Sequence, residues 1–223
     1  DHADQLNKIP EMDLQGRQIQ PQDHTIAFRH VDFSYDRKPI LQDISFDIPD
    51  KTTTAVIGPS GSGKSTMCSL ISRFWDTDSG TITIGGTDVK EYTLESLMDQ
   101  ISMVFQKVYL FADTIENNIK FGQPNASHEE VVSAAKKACC HEFIESLPDG
   151  YATKIGEGGA TLSGGEKQRI SIARAILKDA PIIIFDEATA NVDPENEDKL
   201  QKAMEELMKN KTILMIAHRL KTV

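Results

Sequence analysis

The sequence has few cysteines, no excess of positive charge and no long apolar runs. Each of these features argues against one class of protein. Three cysteines in 223 residues cannot form an even disulfide framework, so a reducing compartment fits best. A formal net charge of −10 gives little electrostatic support for nucleic-acid binding, and we expect no nucleic-acid partner. The longest apolar stretches, at 182–185 and 213–217, have the length of strands, so we expect that this chain by itself does not span a membrane.

The adjacent residues Cys139, Cys140 and His141 do not form a typical metal motif. Consecutive helical positions point in different directions, and no second cluster of ligands follows in the sequence. We therefore expect a packed helix at this place.

The first residues are unlike the rest of the chain. The sequence opens at Asp1 with polar residues and has no basic start followed by an apolar stretch, so it predicts no signal peptide. Residues 1–24 are polar and are punctuated by proline and glycine, which is typical of a linker or arm. We expect residues 25–223 to form the folded domain and the whole chain to be a piece of a longer protein.

The order of hydrophobic patterns predicts an α/β fold. Residues 25–48 alternate with period two, which indicates antiparallel strands. Short apolar strands then alternate with helices, which indicates a mostly parallel sheet covered on both faces. Residues 107–178 are mostly helical in pattern, and a capping box at 127–130 predicts a helix that continues through Cys139. Asp193 and Pro194 predict the start of a later helix.

The segment "GPSGSGKST" fits the phosphate-loop pattern and lies between a predicted strand and a predicted helix. Its glycines let backbone N–H groups approach phosphate oxygens, Lys64 balances the charge of the β- and γ-phosphates, and Ser65 is a ligand for Mg²⁺. The predicted phosphate-binding residues are Gly58, Pro59, Ser60, Gly61, Ser62, Gly63, Lys64, Ser65 and Thr66.

Polar residues also end the later buried strands. Asp186 can hold Mg²⁺, and Glu187 can act as the general base for an attacking water. Gln106 and His218 end two further strands, and polar side chains at the carboxyl edge of a parallel sheet can reach the same crevice. Tyr35, on an upstream strand, offers a flat ring on which a base could stack.

A second glycine turn precedes a helix at 161–170 but lacks a lysine and a buried aspartate of its own. It can grip a phosphate through N–H groups and the helix dipole, yet it has no hydrolytic groups. We therefore expect it to grip a nucleotide held by another copy of the domain. The residues assigned to this turn are Leu162, Ser163, Gly164, Gly165 and Glu166.

From about Thr25 to Val223, the sequence resembles the nucleotide-binding domain of an ATP-binding-cassette (ABC) transporter. The resemblance is carried by the phosphate loop, by the signature "LSGGEKQR" at 162–169 and by "IIIFDE" at 182–187. Single residues also match: Gln106 the Q-loop, Asp193 the D-loop, His218 the switch histidine and Tyr35 the adenine-stacking aromatic.

The resemblance implies a head-to-tail dimer with two ATP molecules, each held between a phosphate loop and the opposite signature turn. It implies Mg²⁺ bound near Ser65, Gln106 and Asp186, and a helical subdomain at about 107–178. The segments at 108–119 and 155–159 are similar to exporters in which the membrane domain is fused. A transmembrane partner and a place at the cytoplasmic face of a bacterial membrane follow from this likeness.

The resemblance also departs from the family pattern. The chain ends five residues after His218, where the family continues, so we expect a closing part of the domain to be missing. The D-loop differs from its commoner form but keeps Asp193. An identical partner chain and a related chain with a degenerate site are both compatible with the sequence.

Three other functions share a phosphate loop. A soluble cassette ATPase acting on nucleic acid would need a basic face, a long coiled coil or a tandem cassette, and none appears in the sequence. A small-molecule kinase would leave the signature segment without a role. Glu187 argues against a nucleotide sensor that does not hydrolyse.

Overall fold

The computed structural model describes residues 15–105, 107–156, 162–186 and 194–217. The strands of these parts of the chain are β1 (Ile26–Tyr35), β2 (Lys38–Ile48), β3 (Thr53–Ile57), β4 (Ser79–Ile84), β5 (Thr87–Asp88), β6 (Ile101–Phe105), β7 (Ile182–Asp186) and β8 (Thr212–Ala217). The α-helices are α1 (Lys64–Ile71), α2 (Leu94–Asp99), α3 (Ile115–Lys120), α4 (His128–Lys137), α5 (His141–Ser146), α6 (Gly164–Lys178) and α7 (Pro194–Met208).

The first sheet is antiparallel and has the strand order β2-β1-β4-β5. Alternate residues of β1, such as Ile26 and Phe28, are buried, as period-two patterning requires when one face of a sheet lies on a core. The ring of Phe28 stacks on Phe46 of β2 at a centroid distance of 4.5 Å, which reinforces the pairing of the two strands. The predicted antiparallel layer is confirmed.

The second sheet is parallel and has the order β3-β8-β7-β6. Its strand β7 is apolar on both faces, because both faces are covered. Ile182 and Ile184 belong to a core shared with α1 and the antiparallel sheet. Ile183 and Phe185 belong to a core formed with α3, α4, α6 and α7. The predicted α/β architecture, with a parallel sheet covered on both faces, is confirmed.

Helices α3 to α6 lie between β6 and β7 in sequence, where the helical insertion is predicted. Helix α4 starts at the predicted capping box, in which Ser127 and Glu130 cap each other's backbone N–H groups. The helix ends at Lys137, before the predicted Cys139, because the backbone of Cys139 turns left-handed with φ 54°. Helix α7 begins at Pro194, as predicted.

Residues 15–24 lie against the domain. Arg17 forms a parallel bridge with Tyr92, and the N–H of Ile19 donates to the Ser96 hydroxyl at 3.2 Å. The side chain of Ile19 packs on the core beneath the antiparallel sheet. Within the described residues, no helix combines the length and the apolar character needed to cross a bilayer.

Candidate functional site

Four parallel strands end together at one edge of the second sheet. Ile57 of β3 pairs with Ala217 of β8. In β7, Asp186 pairs with Ile216 of β8 and with Phe105 of β6. Four predicted site residues come immediately after these strand ends in the chain: Gly58, Gln106, Glu187 and His218. Neighbouring strands lie about 4.8 Å apart, so the four strand ends share an edge only about 15 Å wide.

The loop between β3 and α1 is shaped by glycine. Gly61 and Gly63 have φ values of 79° and 88°, which side chains rarely adopt. A Cβ atom on Gly63 would also lie 2.7 Å from Cδ2 of Leu41, so this position is closed to other residues. The first intrahelical bond of α1 runs from the Met67 N–H to the Gly63 carbonyl at 3.0 Å. The N–H groups of residues 64–66 precede that bond and have no partner within the helix, which makes an anion site.

Lys64 lies inside this loop, and its side chain is buried. Its ammonium group donates to the carbonyl oxygens of Gly58 and Pro59, both at 2.8 Å, and lies 3.4 Å from the Ser62 hydroxyl. A buried ammonium needs such acceptors because it has left water. The positive charge is therefore held at the centre of the glycine loop, next to the helix N-terminus, where phosphate oxygens would bind.

The carboxylate of Asp186 is close to helix α1. Burial raises the pKa of the Cys68 thiol, and the negative charge of Asp186 raises it further. Cys68 stands one turn after Ser65, so the two side chains share a side of the helix. Ser65 is exposed, and Asp186 is half-buried. A hydroxyl and a carboxylate on the same side of a phosphate site are ligands that suit Mg²⁺.

Tyr35 ends β1, and its ring belongs to an aromatic cluster. The ring of Trp75 meets Tyr35 edge-on at a centroid distance of 5.5 Å, and Phe33 does so at 4.7 Å. Edge-to-face packing fixes the plane of the Tyr35 ring. Trp75 was not among the predicted site residues, because no local pattern in the sequence relates it to Tyr35.

The signature turn forms the N-terminus of α6. Ser163 is the N-cap residue: its hydroxyl accepts from the Glu166 N–H at 3.3 Å, while the Glu166 carboxylate accepts from the Ser163 N–H at 2.8 Å. The N–H of Ser163 is therefore already bonded. Those of Gly164 and Gly165 have no partner within the helix, because the first intrahelical bond joins Lys167 to Ser163. A Cβ on Gly164 would meet nothing within 4 Å, so this side of the turn is open.

The signature helix is also tied to the edge of the sheet. The Gln168 amide lies 3.4 Å from the carbonyl oxygen of Phe105, the last residue of β6. Helix α6 otherwise packs on α3, α4 and α7. These are not the elements that form the phosphate loop.

Four predicted residues lie outside the described part of the chain: Gln106, Glu187, Asp193 and His218. For each of these residues, the structure therefore gives the position of the adjoining strand or helix but not that of the side chain. Leu162 is described and packs against the core on the helical side of the parallel sheet.

A glycine loop with a buried lysine, between a parallel strand and a helix, defines a nucleotide-binding protein of the phosphate-loop class. Residues 41–190 match the family described as ABC transporter. The chain belongs to this family, and it is similar to the ATP-binding domains of exporters.

Several known proteins are similar to the chain. An ATP-dependent lipid A-core flippase of Desulfotalea psychrophila is 51% identical over 205 residues, which are 92% of this chain and 36% of that protein. A Bacillus subtilis relative named for multidrug export is 49% identical over 200 residues, which are 89% of this chain and 34% of that protein. The solved structure of a bacterial Atm1-family ABC exporter with ATP bound has a TM-score of 0.87 at 42% identity, covering 93% of this chain and 36% of that one. The chain thus spans about a third of the length of these proteins.

Proposed function

We propose that this domain hydrolyses ATP with Mg²⁺ and thereby drives the transport of a substrate out of the cytoplasm by a larger exporter. The observation that carries the proposal is the glycine loop with Lys64 at its centre, on the sheet edge where four strands end. Mixing the domain with Mg-ATP in the absence of any phosphate acceptor tests it, because an ATPase releases phosphate whereas a small-molecule kinase does not.

Each group in the proposed site has a distinct task. Lys64 and the N–H groups of residues 64–66 bind the phosphates, and Ser65, Gln106 and Asp186 hold Mg²⁺. Bound Mg²⁺ would neutralise charge that develops on the transferred phosphoryl group. Glu187 takes a proton from the attacking water, and His218 hydrogen-bonds the γ-phosphate and holds that water in line.

The signature turn is proposed to complete the site of a second nucleotide-binding domain, identical or related to this one. Its two glycine N–H groups and its open side support this assignment. The packing of α6 on elements other than β3 and α1 supports it too.

Light scattering of the Glu187→Gln variant tests the shared site, since slow hydrolysis keeps ATP bound. We expect a shift from monomer to dimer on addition of Mg-ATP. Adding Ser163→Arg to this variant is expected to abolish the shift, because a long cation at the exposed N-cap blocks approach of the partner. ATP binding to each single chain is expected to persist.

Ser133→Arg is the matched control, since Ser133 is exposed on helix α4 and belongs to neither turn. Dimerisation that survives Ser163→Arg, or that is lost equally with Ser133→Arg, would contradict the shared site. Phosphate release without dimerisation would leave the ATPase assignment standing and reject only the shared site.

Tyr35 is proposed to stack on the adenine ring. Tyr35→Ala should weaken ATP binding about 5- to 150-fold, the equivalent of about 1–3 kcal/mol of stacking. Binding of tripolyphosphate, which has no base, should change little, and Tyr35→Phe should behave like the parent. Trp75 is the one tryptophan in the sequence, so its fluorescence can report nucleotide binding next to Tyr35. An equal loss of ATP and tripolyphosphate affinity would show that Tyr35 acts on the loop and not on the base.

An aromatic surface on the helical part is proposed to contact the membrane domain. Tyr109, Phe111 and Phe121 are exposed, and Arg174 lies 5.7 Å and 5.5 Å from the ring centroids of the two phenylalanines. Arg174 is also held by the Asn118 carbonyl at 2.8 Å, and burial lowers its pKa to about 10. The segment at 108–119, part of this surface, resembles the contact region of exporters, which supports a position at the cytoplasmic face of a bacterial membrane.

A further inference from the structure

A basic groove lies on the helical part, away from the phosphate loop. It runs between the end of α4, the start of α5 and one side of α7, with a cavity volume of about 460 Å³. The residues that line it are Lys136, Cys139, His141, Glu142, Lys199 and Lys202.

The charge of this groove is opposite to that of the chain. Three lysines and one glutamate face it, whereas the whole sequence has a formal net charge of −10. Lys136 and Lys202 are exposed and come from two different helices, α4 and α7. A cleft in which one sign of charge predominates concentrates the potential and attracts the opposite charge.

His141 adds a hydrogen-bond donor of fixed direction to the ammonium groups of the groove. Its Nδ1 lies 2.8 Å from the hydroxyl of Tyr151, which is buried. Burial raises the pKa of this hydroxyl, so it keeps its proton, and a buried O–H needs an acceptor. When the Tyr151 hydroxyl donates to Nδ1, the nitrogen on the other side of the ring, Nε2, carries a proton and can donate.

We propose that this groove binds a small soluble anion carrying phosphate groups, held by the ammonium groups of Lys136 and Lys202 and by His141. The cavity volume is large enough for two linked phosphates, and lysine pairs with phosphate as a point charge. A bound anion would bridge α4 and α5 to α7, and α7 is the helix that follows the predicted D-loop.

Cys139 provides a local probe for this site. It is half-buried and lines the groove, whereas Cys68 and Cys140 are buried and burial raises the pKa of both thiols. Neutral iodoacetamide should therefore alkylate Cys139 first, and mass spectrometry of the labelled peptide follows its rate. We expect pyrophosphate to slow this alkylation, when compared with chloride at equal ionic strength.

Substitutions that remove a positive charge and substitutions that remove a negative charge should change protection in opposite directions. The phosphate loop is the same in every variant, so such changes report on the groove. Lys136→Ala and Lys202→Ala should each raise the pyrophosphate concentration for half-protection about 1.4- to fivefold, the range for an exposed ion pair. Glu142→Gln should lower it by a similar factor. Lys137→Ala is the matched control, because Lys137 is exposed on α4 and does not line the groove.

The proposal is overturned if pyrophosphate does not protect Cys139, or if protection is the same in the parent, Lys136→Ala and Lys202→Ala. It is also overturned if Lys137→Ala weakens protection as much as Lys136→Ala does. ATP affinity measured on each variant checks that the domain is folded. None of these outcomes depends on whether the domain hydrolyses ATP.

Discussion

Lys64→Ala is expected to weaken ATP binding at least about 100-fold, since hydrogen bonds to charged groups contribute about 1.5–3 kcal/mol each and the lysine is proposed to bind two phosphates. In the structure the ammonium already lies within the loop, bonded to the carbonyls of Gly58 and Pro59. Phosphate oxygens would replace or share these acceptors without moving the charge far. Isothermal titration calorimetry with Mg-ATP measures the loss.

Two further variants make the Lys64 result interpretable. Lys64→Met keeps most of the buried volume and removes only the charge, so it should lose affinity as Lys64→Ala does. Lys137→Ala removes one exposed lysine elsewhere and should bind ATP like the parent. If Lys64→Ala bound ATP as tightly as the parent, the loop at 58–66 would not be the phosphate site.

Glu187→Gln is expected to lower ATP turnover by about 10²–10⁴ while ATP still binds, as for removal of a general base. Glu187 follows Asp186, the last residue of β7. In the sheet, only β8 separates β7 from β3. Glutamine keeps the size of the side chain and its capacity to hydrogen-bond, but it cannot accept the proton of the attacking water. A steady-state assay of phosphate release, together with calorimetry, separates turnover from binding.

Glu197→Gln is the control for this experiment, because Glu197 is exposed on α7 and its change also removes one negative charge. It should leave turnover unchanged. Turnover at the parent rate in Glu187→Gln would mean that the base lies elsewhere. Loss of ATP binding in that variant would point to a structural role for the carboxylate.

The elements that carry the phosphate site were predictable because their signals are local. The loop at 58–66 combines glycines that need positive φ with a lysine and a following helix, and β7 is a continuous apolar run that ends in Asp186. Polar residues after buried strands predicted a shared sheet edge, and the parallel register of β3, β8, β7 and β6 supports that prediction. The side chains of Glu187 and His218 stay predictions.

Contacts between distant parts of the sequence were not predictable. Periodicity does not encode strand order, so nothing indicated that β8 would lie between β3 and β7. The packing of Trp75 on Tyr35 and the convergence of Lys136 with Lys202 likewise depend on tertiary structure.

The cap of helix α6 has a local signal in the sequence that the prediction of the signature turn did not include. Residues 163–166 fit the serine-x-x-glutamate pattern of a capping box, the same pattern that correctly predicted the start of α4. The consequence is that the Ser163 N–H is bonded within the chain, whereas the N–H groups of Gly164 and Gly165 have no partner within the helix and are the donors that we propose bind phosphate.

The reciprocal capping of Ser163 and Glu166 fixes the shape of the turn before any partner arrives. Ordering a backbone residue costs about 1–2 kcal/mol, and a turn that is already ordered does not incur that cost again during association. A preorganised turn also presents its donors at the first encounter, so docking does not wait for a slow local rearrangement. In the proposed assembly the signature turn would thus act as a preformed template, and adjustment on closure would fall to the movement of whole domains.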